Sequence, residues 1–416
     1  MIVSRVERHI IHSNHELYSK FIEYGKYSKN LYNYTLYYLR QLLIQKSKIK
    51  DKQKNNIELT KEEQNKLEEK YLSAYSFCTK EKHSEVMKNM HSQVSQQTVQ
   101  LVYQNWDSFF KANNDYNKNS QKYLGRPKLP KYLDKNGMYI FKFTNQACKF
   151  KENYIQFPKV FNKYKLKTKI NGKLKEVRVL PRNKYFIIEI VYDKEIIEYQ
   201  KNTNKKLSID LGLNNLLAVA NNFNEQPIIV NGKGLKSINQ YYNKKMSILQ
   251  SKNPKQYTNK MNKLTIKRNN KINDLIHKIS RFIVSYANNH DCDEIIIGYN
   301  KEWKQNINIG KKNNQKFVNI PYLDIINKIS YKCEDCGIKL TITEESYTSG
   351  TSFIDGELPQ KKFYNKNRRK HRGLFISNNG IKINADINGA FQIMNKVSHY
   401  KWVEDLVLNP IKINIF

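Results

Sequence analysis

KKLSIDLGLNNLLAVANN, Lys205 to Asn222, is the stretch on which the fold of this chain turns. An apolar pulse, Leu207 and Ile209, ends in an acid, Asp210, which is followed by Gly212 and a second apolar run from Leu216 to Ala220. The pattern predicts strand, tight turn, strand, with a carboxylate at the end of a buried strand. Burying an unpaired charge costs several kcal/mol as an order of magnitude, so such an acid needs a partner, and a bound cation is the usual one. The plainer alternative is a turn aspartate that caps its own backbone. The choice depends on whether the chain brings further acids to the same place.

Downstream, it does. Residues 234–290 predict a long helical region, with Ile272, Leu275, Ile276, Ile279, Phe282 and Ile283 on one stripe. It feeds DCDEIIIGYN, which has the continuous apolar character of a strand buried on both faces and ends at Gly298. A helix over residues 321–336 and a strand, IKLTI, then lead to Glu344 and Glu345. Last, GIKINADINGAFQIMNKV sets Asp386 between a short apolar strand and a helix whose Gly389 and Ala390 permit close packing. Three carboxylates on a rigid sheet are what two magnesium ions need; such ions, roughly 3.5–4 Å apart, clamp the attacking and leaving oxygens of a phosphodiester. No histidine is well placed as a general base, and none is required.

The first half reads differently. IVSRVERHIIHS alternates like a strand, and residues 16–43 carry Leu17, Phe21, Tyr24, Leu31, Tyr32, Leu36, Leu39 and Leu43 at the three-and-four spacing of an amphipathic helix. Residues 47–69, rich in lysine and glutamate, predict a solvated helix or a connector. A second helix is expected over residues 92–112, with Val99, Val102, Trp106, Phe109 and Phe110 as packing core. At Gly125 the texture changes: GRPKLPKYLDKNG ends the helical region, and MYIFKF, YIQFP, KLKTKI, KEVRVLP and KYFIIEIVYD predict a small antiparallel sheet or barrel of about five strands. Lysines along those strands, Lys149, Lys151, Lys165, Lys167, Lys169, Lys173 and Lys175 among them, would give it a basic, phosphate-tracking face.

The bulk charge agrees. Lys and Arg number 73 against 37 Asp and Glu, a formal net charge of +36, so a large polyanion is the expected partner, and nucleic acid is the natural one. Basic residues are interleaved with Tyr and Phe, which suits phosphate contacts beside stacking surfaces. No apolar run reaches membrane-spanning length, no signal-peptide core is present, and five scattered cysteines do not make a disulfide framework. A reducing compartment is expected: cytoplasm or nucleoid for a bacterial host, nucleus or viral factory for a eukaryotic or viral one.

IDLGLNNLLAV, IIIGYNKEWKQ, EESYTS and NADINGAFQI together resemble the split RuvC nuclease domain of TnpB, the transposon-associated RNA-guided nuclease. That family includes the Fanzor proteins and is related to the compact type V CRISPR effectors. In the N-terminal half, KNLYN and GRPKLPKY resemble family segments more weakly. The resemblance implies a multidomain α/β, α and β architecture. Its parts would be the first strand of a wedge β domain (1–15), a helical recognition domain (16–125), a small wedge β-barrel (126–200) and an RNase H-like RuvC domain (201–416). It also implies an endonuclease that takes a guide RNA and cuts double-stranded DNA beside a short flanking motif. Arg126, Lys128 and Lys131, with Lys301, Trp303 and Lys304 of NKEWKQ, are the candidate nucleic-acid contacts.

Two departures from the family pattern matter. Gly298 stands where most relatives end the strand in a glutamate, and glycine cannot hold a metal. Some members instead carry a glutamate just before the YTS element. The second metal-binding role is therefore assigned to Glu345, with Glu344 as fallback, because adjacent strand residues point to opposite faces. The expected magnesium ligands are Asp210, Glu345 and Asp386. Most relatives also carry a four-cysteine zinc site between the second and third acids. Here the segment 346–380 has no cysteine, and Cys333 and Cys336 lie on the apolar face of a helix, so no structural zinc is expected. The rival readings are an RNA-guided DNA-binding protein whose nuclease site has decayed, and an RNA-independent resolvase or integrase on the same fold.

Overall fold

The computed structural model describes every residue except 69–71, 197–200, 255, 301–319, 372, 402 and 416. Lys301, Trp303 and Lys304 therefore lie outside the described residues. The chain divides into two units, Met1–Glu195 and Ile196–Phe416.

In the first unit, β1 (Ile2–His12) leads into a long helix, α1 (Tyr18–Lys54). Its apolar series continues through Leu42 and Ile49, so the helix runs well past the expected end at residue 43, and the lysine-rich stretch is partly its solvated last turns. Short helices α2 (Lys61–Glu68), α3 (Ala74–Lys80) and α4 (Glu85–Lys88) precede α5 (Ser92–Lys118). Six strands follow: β2 (Phe141–Thr144), β3 (Lys149–Lys151), β4 (Tyr154–Gln156), β5 (Lys165–Lys167), β6 (Lys173–Arg182) and β7 (Tyr185–Glu195). They form two sheets, one of order β1-β7-β6-β2 and one of order β3-β4-β5. β1 pairs with β7 along its whole length, which brings the start of the chain to residue 195.

Aromatic rings hold α1 to the four-stranded sheet and to the turn between β4 and β5. Phe21 packs edge-on against Phe141, Phe161 and Phe186, with centroids 5.6–5.8 Å apart, and Tyr24 lies 4.8 Å from Phe161. Further along α1, Tyr32, Leu36 and Leu39 bury against Val102 and Trp106 of α5. The proline-rich segment after residue 125 is strapped to α1. Asn33 exchanges two hydrogen bonds with the backbone of Leu133, and Arg40 donates to the Pro130 carbonyl while its guanidinium lies over the Tyr132 ring.

The second unit is built on one sheet. Its strands are β8 (Lys206–Leu211), β9 (Asn215–Asn221), β10 (Ile228–Asn231), β11 (Glu294–Gly298), β12 (Lys339–Thr343) and β16 (Ile411–Ile413), in the order β12-β11-β8-β9-β10-β16. β8, β9 and β10 are an antiparallel meander, whereas β11 runs parallel to both β8 and β12. Between β10 and β11 lie α6 (Lys233–Lys252) and α7 (Asn259–Asn289); what reads in sequence as one helical region is two helices, parted at Asn253 and Pro254 and restarted by the Thr258 cap. α7 and α8 (Tyr322–Asp335) bury Ile276, Ile279, Ile283, Ile325 and Ile329 in the core beneath the sheet. A small sheet, β13 (Arg369–His371), β14 (Leu374–Ile376) and β15 (Lys382–Ile383), precedes α9 (Ala385–Ser398), which is almost wholly buried. Among the described residues, no helix is long and apolar enough to cross a membrane.

Candidate nuclease site

β8, β11 and β12 are parallel, so their C-terminal ends meet at one edge of the sheet. Ile297 pairs with Ile209, one residue before Asp210, and Gly298 pairs with Thr343, one residue before Glu344. Crevices at the C-terminal edges of such strands are where open α/β sheets hold their ligands.

At that edge Asp210 keeps part of its surface open, but dense protein surrounds its carboxylate, and it is held well above the usual carboxylate range. Burial is the main cause, reinforced by the negative charges of Glu345 and Asp386 and opposed by Arg369. Those couplings bring together three acids that lie far apart in the chain. Gly389 of α9 faces Asp210: a Cβ at that position would sit 2.9 Å from Asp210 Oδ2. The close helix packing expected of Gly389 is thus an approach to the carboxylate itself.

Glu345 and Glu344 diverge. Glu344 is exposed and turned outward to Lys396 and to the Ser346 hydroxyl, hydrogen bonds that pull its carboxyl below the usual range. Glu345 points inward, its backbone N–H held by Asn300 Oδ1 at 3.1 Å. Among the described residues its Oε2 is buried without a hydrogen-bond partner, and it lies 3.2 Å from the place where a Cβ on Gly298 would be. Burial, with the nearby charge of Glu344, pushes its carboxyl up to about 7. The space left by the missing side chain at 298 is therefore shared by the Glu345 carboxylate and by Ile393, whose Cδ1 would be 2.4 Å from that Cβ.

Asp386 lies in the first turn of α9, behind the cap Asn384, whose Oδ1 accepts from the backbone N–H groups of Asp386 and Ile387. The helix dipole there favours its negative charge. Asp386 Oδ2 accepts from Asn215 Nδ2 at 2.7 Å and Oδ1 from Arg369 Nη2 at 2.8 Å. Asn215 and Arg369 were not singled out in the sequence. Asn215 had a signal, its place at the start of the strand after Asp210; Arg369 is one cation in the run KNRRK and had none.

With Asp386 turned to Arg369, no three acidic, cysteine or histidine side chains among the described residues form a ready-made metal cluster. The donor set nonetheless fits a hard divalent cation: an orphaned, buried Glu345 oxygen, a buried Asp210 carboxylate at elevated pKa, and a third carboxylate held by one displaceable guanidinium.

The segment 346–380 is fixed to α9 by side chains. Glu357 takes a bidentate pair from Arg368 at 2.6 and 2.8 Å, and its carbonyl accepts from Gln392 and Asn395. Asn388 bonds the backbone of Thr351 and Phe353, and Phe353 stacks on Phe391 at 4.6 Å. Cys333 is buried in the α7–α8 core and both it and Cys336 are free thiols. In the first unit, Arg126, Lys128 and Lys131 are exposed, and Arg126 reaches Asn113 of α5 at 3.3 Å.

Comparison with known proteins bears on these two units. The probable-transposase family OrfB_IS605 matches residues 189–304, and the Cas12f1-like TNB domain matches residues 322–393. Both matches are likenesses to TnpB-like proteins over those residues. Its fold is similar to that of the protein in a cryo-EM structure of a Cas12f1–sgRNA–target DNA complex, with a TM-score of 0.53 at 16% identity over 91% of this chain and 83% of that one. Weaker likenesses are to a CRISPR-Cas12f ternary complex (TM-score 0.38, 14% identity, 92% and 82% of the two chains) and to the mini-RNA-guided endonuclease Cas_phi3 (0.42, 11%, 95% and 92%). No curated protein matches the sequence.

Proposed function

We propose that this TnpB-like protein is an RNA-guided DNA endonuclease of transposon origin, whose second unit is an RNase H-like RuvC domain cutting DNA with magnesium held by Asp210, Glu345 and Asp386. The observation that carries the reading is the buried Oε2 of Glu345 beside Gly298, which has no partner among the described residues and whose charge is felt at Asp210. The strand order, a three-stranded meander flanked on one side by two parallel strands, supports the RNase H-like assignment. The family matches and the fold likeness support a guide RNA and a double-stranded DNA target as partners.

In this reading Asp210 and Glu345 are the inner ligands, and burial holds both carboxyls above the usual range until a cation offsets their charge. Asn215 keeps Asp386 Oδ2 aimed at the site, and Arg369 neutralises Oδ1 until a DNA phosphate offers the guanidinium a better partner. Magnesium, when bound, activates the attacking water and offsets charge on the phosphate. The helices of the first unit are read as the recognition region and its β sheets as the wedge, where Arg126, Lys128 and Lys131 contact backbone phosphates while base pairing supplies sequence.

The test is cleavage of a target duplex by the protein with its co-purified RNA. Cutting that needs magnesium and falls at least about a thousandfold in Asp210→Ala, with RNA and target binding retained, is expected. Intact target binding without cleavage by the unaltered protein would instead establish a binding protein with a decayed site, the reading that Gly298 favours. Specific cutting by RNA-free protein would establish a resolvase or integrase.

A further inference from the structure

From Lys233 to Asn273 the chain carries eleven lysines and arginines and not one acid. Charge this one-sided on a helical pair is a polyanion surface, but lysines alone do not say what else the surface reads. Between α6 and α7 the same residues enclose a cavity of about 320 Å³. Its floor is apolar, Ile238 and Leu264, and two tyrosines, Tyr241 and Tyr242, wall it. One wall is rigid: Tyr242 bonds Thr265 across the helix pair at 3.1 Å, and the Arg268 guanidinium lies over its ring while Nε and Nη2 donate to Asn239 Oδ1. The other wall, Tyr241, is a large ring left 60% exposed. Lys267 and Lys271 stand exposed at the rim.

We infer that this cavity holds one unpaired nucleotide of a single-stranded nucleic acid, its base stacked on Tyr241 over the apolar floor and its phosphates on Lys267 and Lys271. A phosphate alone would be served by the cations and has no use for the two rings. An exposed aromatic beside an apolar hollow and a ring of lysines matches the needs of a splayed base with its backbone. The pocket is distinct from the carboxylate site, although Lys236, earlier on α6, bonds Asn214 in the turn after Asp210. It does not require the nuclease reading.

The test uses the full-length protein and short single strands bearing one photoreactive thiouridine, or thiothymidine in the DNA version. An adduct on Tyr241 or Tyr242 with either strand supports the pocket and tells whether RNA or DNA supplies the nucleotide. Adducts confined to residues outside 233–271 with both strands would overturn it. In anisotropy titrations, Tyr241→Ala is expected to weaken the base-bearing strand about tenfold and Tyr241→Phe to bind normally, because the ring and not the hydroxyl does the stacking. An abasic strand should not distinguish the three proteins. Equal losses for the abasic strand, or no loss in Tyr241→Ala, would reduce the surface to plain charge attraction. Unchanged thermal melting of these exposed-site variants, and unchanged cleavage dependence on Asp210, separate a failure of this pocket from a failure of the nuclease site.

Discussion

The three parallel strands β8, β11 and β12 meet buried acids at both ends, and the two ends could hardly be more different. At the N-terminal end Glu294, 4% exposed, receives Lys206 at 3.1 Å, Lys339 at 3.2 Å and the Thr341 hydroxyl. Burial alone would raise its carboxyl, yet those hydrogen bonds bring it below the usual range. At the C-terminal end Asp210 and Glu345 are pushed up: Arg369 opposes the shift of Asp210 but is bonded to Asp386, and among the described residues nothing bonds the Glu345 Oε2. Burial is common to both ends. What separates an acid that ties strands together from one awaiting a ligand is whether its oxygens are already spoken for.

The largest test of this contrast is at the active end. Glu345→Ala is expected to lower cleavage about a hundredfold or more, while Glu344→Ala, which loses only surface bonds to Lys396 and the Ser346 hydroxyl, stays within about threefold. Equal activity in the two variants would end the assignment of Glu345.

Next comes pH. Glu345 titrates at about 7 in the fold against an ordinary 4.5, so its contribution to stability is fully present below pH 4.5 and is lost as pH rises through 7. Without divalent cations, the stability of the protein relative to Glu345→Gln should therefore drop by on the order of 2–3 kcal/mol between pH 4.5 and pH 8. Magnesium should recover most of that drop. Urea melts of both proteins at the two pH values check it, and a flat difference would show that the carboxylate is not desolvated.

At the structural end, Glu294→Ala should cost about 2 kcal/mol in urea melts, less than a fully buried pair because Lys339 can turn to water. Cleavage per folded molecule should be unaffected. The smallest effect on stability is expected at Gly298→Ala, whose Cβ meets Ile393 Cδ1; a loss of about 1 kcal/mol, relieved in Gly298→Ala with Ile393→Val, would confirm that Ile393 sets the limit. No relief would point instead to the Glu345 carboxylate, which lies 3.2 Å from the same Cβ.

Much of the fold was legible because it is written in local periodicity: α1, α5, α7 and the strands around Asp210 and Gly298 all carry their burial pattern in adjacent residues. Asp210 and Asp386 stood out for the same reason, each closing an apolar run beside a glycine. The direction of Glu345 follows from strand alternation and from the gap at Gly298. The cation that holds Asp386 was not legible, since nothing local distinguishes Arg369 from Arg368, which is committed to Glu357. Nor was the role of Glu294, because its partners Lys206 and Lys339 come from strands that only the assembled sheet makes neighbours. Long-range ion pairs leave no trace in a periodicity.

The outermost strand of the second sheet, β16, joins β10 in parallel pairing, Ile228 opposite Ile411, across most of the unit's length. With Asp386 also far from Asp210 in sequence, the sheet edge and the acid-bearing end both depend on contacts of high sequence separation, the kind that form slowly. During synthesis the β8–β10 meander can pair as soon as it emerges, but it waits for the last part of the chain before its acids meet. Under the proposed reading, a nuclease assembled in this order stays inert as a nascent chain until Asp386 has joined Asp210 and Glu345.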